Sequence, residues 1–139
     1  MWRQWLRVVC LSLPMAALAA PADDHQRGMA AYQRGDVVAA MAALRAAAKA
    51  GHAPSQAMLG FILDKADFVD EALALYRAAA AQNDADGHAG LGNAYLAGRG
   101  IAKDEKQAMR HFSKAADLGH VASQAIVARV AARPASAAK

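Results

Sequence analysis

Five histidines are the side chains in this sequence best suited to proton transfer or metal binding. Two of them stand in a repeated setting: His52 precedes Ser55 by three residues, and His120 precedes Ser123 by three. A hydroxyl beside an imidazole is the start of a nucleophilic pair, but catalysis also needs an orienting acid and oxyanion donors. No G-x-S-x-G elbow and no adjacent acid accompanies either serine. Nor does an HExxH pair, or a second ligand at i+3 or i+4, accompany His52 or His120. His88 and His111 have no carboxylate or thiol spaced to orient them, and His25 falls near the start of the folded chain. The duplication itself accounts for His52 and His120 as polar residues at equivalent turns.

Gly98-Arg99-Gly100 could be taken for a phosphate loop, yet it follows a helical pattern rather than a strand and lacks the Lys-Ser/Thr ending. Its glycines suit a tight reversal. The row Lys103, Lys106, Arg110 and Lys114 could grip an anionic polymer. Asp104, Glu105 and Asp117 interleave with it, and no aromatic alternates with the bases to stack on nucleotides, so it reads as a solvated face with no nucleic-acid partner.

What would position these residues is a set of helices in tandem. Gly51-His52-Ala53-Pro54-Ser55-Gln56-Ala57 returns as Gly119-His120-Val121-Ala122-Ser123-Gln124-Ala125, and Asn83 to Ala89 is a third copy between them. Leu59-Gly60 recurs as Leu91-Gly92. Ala40, Ala72 and Ala108 align, as do Leu44, Tyr76 and Phe112, and then Ala48, Ala80 and Ala116. The expected helices are Asp24 to Gln33, Asp36 to Ala50, Pro54 to Lys65, Phe68 to Gln82, Asp86 to Ala97, Asp104 to Leu118 and Ala122 to Ala132. Alanine supplies 40 of the 139 residues, which suits close helix stacking better than a core of large side chains. No alternating apolar and polar runs call for a β-sheet.

The third unit carries the fullest pattern: L-G-x-x-Y at Leu91 to Tyr95, G-x-G-I at Gly98 to Ile101, Asp104, then A-x-x-x-F-x-K-A-A-x-x-G from Ala108 to Gly119. These residues resemble the Sel1-like repeat (SLR), the longer-looped relative of the tetratricopeptide repeat. The first two units, turning at Arg34-Gly35-Asp36 and Lys65-Ala66-Asp67, look more like the plain tetratricopeptide repeat. The resemblance implies an all-α, right-handed α-solenoid of three helix-turn-helix repeats (24–51, 52–83 and 84–119) with a C-terminal capping helix (120–133), and a role in holding other proteins together.

In such stacks the first helices line the concave side. The position after each Leu-Gly, with those three and four residues on, selects Met29, Tyr32 and Gln33, then Phe61, Asp64 and Lys65, then Asn93, Leu96 and Ala97. Arg129 and Arg133 follow from the last helix. Asn93 stands where the resemblance implies an asparagine gripping the backbone of a bound peptide. Tyr32, Phe61 and Leu96 would be apolar anchors in a groove for a peptide or partner helix, or would pack between neighbouring first helices instead.

Residues 1–22 read as a cleavable targeting segment: Arg3 and Arg7, an apolar run from Val8 to Leu18, and small-x-small signals ending at Ala19 or Ala22, with cleavage favoured after Ala22. The run is too short, and too interrupted by Pro14, for a membrane anchor. Cys10, the only cysteine, lies inside it, and Val9 is not the small residue a lipoprotein signal requires. The expected mature chain has no thiol, a departure from the cysteine-bridged secreted members of the family that it resembles. Of 16 basic and 12 acidic residues, two arginines leave with the segment, so the charge balance makes no case for nucleic acid. The expected product is a periplasmic or secreted, non-catalytic adaptor without cofactor or metal, followed by a disordered tail at 134–139. The alternatives are a cell-wall-directed hydrolase using His88 or His120 with Asp86 or Asp117, or an anionic-polymer binder using the basic row.

Overall fold

Four of the helix starts are closed by a side chain placed one residue before the first turn. In the computed structural model, which describes residues 20–133, Asp36 Oδ1 accepts from the Ala39 amide at 3.0 Å. Asp84 accepts from Gly87 at 2.8 Å, Asp104 from Gln107 at 3.0 Å, and His120 Nδ1 from Ser123 at 3.1 Å. Each such cap satisfies an amide that the helix leaves free and stabilises it by about 1 kcal/mol. The helices are α1 (Pro21–Gln33), α2 (Val37–Lys49), α3 (Ala53–Lys65), α4 (Val69–Ala81), α5 (Ala85–Ala97), α6 (Glu105–Asp117) and α7 (Val121–Ala131). Among the described residues there is no strand.

Six helices fall within one residue of their expected bounds. The exception is α1, which starts at Pro21 rather than Asp24: the Ala20 carbonyl accepts from the amides of Asp23 at 2.8 Å and Asp24 at 3.1 Å. Proline has no amide to satisfy, which makes Pro21 a good first helical residue. Most of the expected targeting segment, with Cys10, and the expected tail at 134–139 lie outside the described residues.

Consecutive helices pack on one another, and α3 also touches α5, so first helices form one layer and second helices the other. The seam repeats. Ala40, Ala72 and Ala108 are at most 1% exposed, and Leu44, Tyr76 and Phe112 at most 6%. Each of these larger side chains lies against a glycine of the first helix in its own hairpin. An added Cβ would stand 2.6 Å from Leu44 at Gly28, 3.0 Å from Tyr76 at Gly60 and 2.7 Å from Phe112 at Gly92. Tyr76 meets a second glycine across the unit boundary, Gly90, at 2.4 Å, so its ring is held between α3 and α5.

A further device ties neighbours together. Gln56 Nε2 donates to the Ala48 carbonyl at 3.2 Å and Gln124 Nε2 to Ala116 at 3.1 Å, so each glutamine caps the end of the preceding second helix. The equivalent residues are Asp24, which pairs with Arg27, and His88.

The longer loop of the third hairpin reaches back over the second. Gly98 and Gly100 adopt φ of 69° and 63°, a left-handed backbone that glycine enters without a Cβ clash. Between them, Arg99 donates from Nε to Asp64 Oδ1 at 3.0 Å, and from Nη2 to the Asp64 carbonyl at 3.0 Å and Asp67 Oδ1 at 3.2 Å. Gly100 lies against Val69 and Leu73, and Ile101 packs on the core. The insertion therefore joins two hairpins as well as reversing the chain.

The candidate binding groove

The first-helix layer carries a half-open cavity of about 360 Å³ between α3, α5 and the start of α7. Ala57, Met58 and Phe61 line it from α3, and Asp86, Ala89, Gly90 and Asn93 from α5. Tyr76 lies beneath and His120 closes one edge. A smaller cavity of about 100 Å³, lined in part by Asp64, Val69, Asn93 and Arg99, shares Tyr76 and Gly90 with it. Burial, then the nearby Asp64 carboxylate, push the Tyr76 hydroxyl well above its ordinary range, so it stays a proton donor.

Phe61 is 39% exposed and Leu96 45%, so neither is a core residue. The Tyr32 and Phe61 rings meet edge-on with centroids 6.5 Å apart, and Lys65 Nζ lies 5.5 Å from the Phe61 centroid. Met29 is half-buried, whereas Gln33, Lys65, Asn93, Ala97, Arg129 and Arg133 are exposed. The carboxylate of Asp64 is turned to Arg99, so it belongs to the link between hairpins more than to a free groove wall. Sequence reasoning missed Met58 and Gly90. Each precedes a selected residue, Phe61 or Asn93, by three positions and so shares its helix face, a signal that the spacing carried. Tyr76 and His120 come from other elements, which no pattern within one helix reveals.

The histidines form three pairings. His52 Nδ1 and His25 Nδ1 both lie 2.9 Å from Ser55 Oγ, and Ser55 is fully buried. Burial and the nearby His52 lower the pKa of His25. On α5 and α6, His88 Nδ1 and His111 Nδ1 are 3.1 Å apart, Tyr95 stacks on His111, and His88 Nε2 is buried without a hydrogen-bond partner. Burial first, then the Lys114 cation for His88 and the His88 ring for His111, hold both below the usual histidine value. These two rings orient each other, which sequence spacing did not show.

At α7, Ser123 Oγ lies 2.7 Å from His120 Nδ1, and His120 Nε2 is 3.5 Å from Asp86 Oδ1. An acid does therefore approach this serine-histidine pair, the Asp86 that the hydrolase alternative named with His120, because the neighbouring first helix brings it. The order of groups is that of a hydrolytic triad, but the roles differ. His120 Nδ1 accepts from the Ser123 amide as a helix cap, which leaves the proton on Nε2 facing Asp86. Ser123 itself is 0% exposed and out of reach of substrate. Among the described residues no three His, Cys, Asp or Glu side chains gather as metal ligands, and no helix is long and apolar enough to cross a membrane.

The basic row lies on the exposed side of α6 and just before it, where Lys103 pairs with Glu105 at 3.6 Å. Lys106, Arg110 and Lys114 line a wide, open depression with Asp117, far more solvated than the groove.

No family model matches the chain. It is 39% identical over 82 residues, 58% of its length, to the uncharacterized protein NMB1327 of Neisseria meningitidis serogroup B. It spans only 17% of that relative. Among solved structures it is similar to c5321, a protective antigen of uropathogenic Escherichia coli displaying an SLR fold. That match has a TM-score of 0.71 and 26% identity over 79% of this chain and 26% of the other. It is also similar to Helicobacter pylori cysteine rich protein B, with a TM-score of 0.61 and 27% identity over 71% of this chain and 79% of the other. A Sel1 repeat protein from Oxalobacter formigenes shares the fold at a TM-score of 0.66 and 24% identity, over 78% and 48% of the two chains.

Proposed function

Because the chain belongs to the Sel1-like repeat family, we propose that it is a non-catalytic protein-interaction scaffold whose concave groove holds a segment of a partner protein. The observation that carries this reading is the exposure of Phe61. On the same helix Leu59, Ile62 and Leu63 are at most 4% exposed, whereas Phe61 is 39% exposed beside Tyr32, Met58 and the cavity above Tyr76. An aromatic ring left open in a concave site is the type of anchor on which binding energy concentrates. Co-purification of the native protein, with partners identified by mass, tests the reading. Changing Asn93 and Tyr32 together to alanine is expected to abolish capture. Capture that persists moves the contact elsewhere.

We also propose that the protein is exported, on the strength of Arg3, Arg7 and the apolar run that follows. The start of α1 bears on the cut. Cleavage after Ala22 removes the carbonyl of Ala20 that accepts the first two helical amide bonds, whereas cleavage after Ala19 keeps it. N-terminal sequencing of protein from a periplasmic extract distinguishes the two.

The approach of Asp86 to His120 favours one second reading, a hydrolase acting on cell-wall material. It requires that purified protein turn over peptidoglycan fragments and that His120→Ala stop it. The buried Ser123 argues against it, so no turnover is the expected result.

A further inference from the structure

The turns that open α3 and α7 carry the same His-x-x-Ser pair, but each pair meets a different third group from the preceding first helix. At α3 the third group is an imidazole. His25 of α1 brings its Nδ1 to 2.9 Å from Ser55 Oγ, the same distance as His52 Nδ1, and the two ring centroids are 5.0 Å apart. At α7 it is a carboxylate, Asp86 of α5, which stands 3.5 Å from His120 Nε2. The repeat position that His25 fills at the first boundary is held by Ala89 at the last.

A hydroxyl has one proton to give and lone pairs to accept with. Between two neutral rings, Ser55 Oγ accepts from one Nδ1–H and donates to the bare Nδ1 of the other. A first added proton settles on the free Nε2 of the donating ring and leaves both bonds in place. A second must go to the accepting Nδ1. Both rings are then cations and both donate, so the Ser55 hydroxyl proton loses its acceptor inside a residue that is 0% exposed. An unsatisfied buried hydroxyl and two like charges act together against the closed arrangement. Asp84, in the turn before α5, is the carboxylate that bears on His25, but its side chain is committed to the Gly87 amide. Burial and the His52 ring outweigh it and hold the His25 pKa below the ordinary value.

The last boundary lacks this repulsion. A proton on His120 costs the bond from the Ser123 amide but sets a cation opposite Asp86, so the two effects oppose each other. His88 and His111 meet within the third hairpin and fasten no unit to the next.

We infer that His25, Ser55 and His52 form an acid-released latch, which holds α1 to α3 in neutral solution and lets α1 come away in acid while the α5–α7 boundary stays shut. Farther along the same two helices Tyr32 meets Phe61 edge-on, so a departing α1 takes Tyr32 with it and opens the first-unit end of the concave face.

The test is amide hydrogen exchange of the full chain at pH 7.5 and 5.0, corrected for the intrinsic pH dependence of exchange, with and without His25→Gln. Glutamine keeps a hydrogen-bonding group without the charge. Both proteins carry His88→Gln, which removes the acid response of the third hairpin. With His25 in place, protection of the α1 amides is expected to fall about tenfold or more on acidification while that of α7 changes by less than about twofold. The His25→Gln protein is expected to show no such fall. If that variant already lacks α1 protection at pH 7.5, His52→Gln is read by the same criterion. An α1 that loosens equally in both proteins, or that stays protected in acid, overturns the latch, as does an α7 that loosens as much as α1.

Discussion

Gly92 lies so close to Phe112 that a methyl group in place of its hydrogen would stand 2.7 Å from the ring atom Cε1. Such a contact forces the ring or the helix to move, and overpacking of this kind costs about 1–3 kcal/mol, against roughly 1 kcal/mol gained from alanine's helix propensity. Gly92→Ala is therefore expected to lower the urea midpoint at unchanged m-value. The ring edge at Gly60 is farther off, at 3.0 Å, so Gly60→Ala is expected to be near neutral. Equal losses at both sites would refute this ordering.

Two phenylalanines give a second contrast. Phe112 is 1% exposed and Phe61 is 39% exposed. Truncating the buried ring to alanine is expected to destabilise the fold by about 3–5 kcal/mol, whereas Phe61→Ala is expected to stay below about 1 kcal/mol and to act on binding instead. Chemical denaturation of both variants decides it.

His88, His111 and His25 all have pKa values lowered in the fold, chiefly by burial, so each favours its neutral form there. The unfolded chain binds protons first, near the ordinary value of 6.5. Stability is thus complete above that pH, falls as pH drops through it, and stops falling below the lowered folded values. Around His88 and His111, Lys114 opposes protonation and Asp84 favours it. His88→Gln, which restores the residue found at Gln56 and Gln124, is expected to flatten the acid loss. Denaturation midpoints at pH 7.5 and 5.5 that shift equally in both proteins would contradict this.

Asn83 adopts φ of 57° where the other two turns of its kind have Gly51 and Gly119. Asparagine tolerates that backbone better than most residues but still pays steric strain. Asn83→Gly is expected to raise stability by a few tenths up to about 1 kcal/mol, read as a higher melting temperature. A fall would mean that the Asn83 side chain makes a contact of its own.

Arg99→Ala removes the three hydrogen bonds between the long loop and the second hairpin, all at exposed sites. Amide exchange in residues 98–104 is expected to quicken while the global midpoint barely moves. A large global shift would show that the loop contacts hold the stack together.

Most of the architecture was legible in the sequence because it is written three times. Ala40, Ala72 and Ala108 needed no structure to be aligned, and the Gly98-x-Gly100 loop announced its own reversal. What one helix at a time could not show is anything supplied by its neighbour. Tyr76 rises into the groove from the second layer, and Arg99 turns Asp64 away from the surface for which its register selected it. The start of α1 was misplaced for a different reason, since the Ala20-Pro21-Ala22 stretch fits a processing signal and a helix start equally well.

The phenol ring of Tyr76, gripped by Gly60 on one side and Gly90 on the other, meters the distance between adjacent hairpins. Curvature in a stacked array comes from such spacings, so this single side chain governs how widely the cleft above it opens. A change there would retune the breadth of the cleft from its floor, leaving the side chains of its two walls as they are.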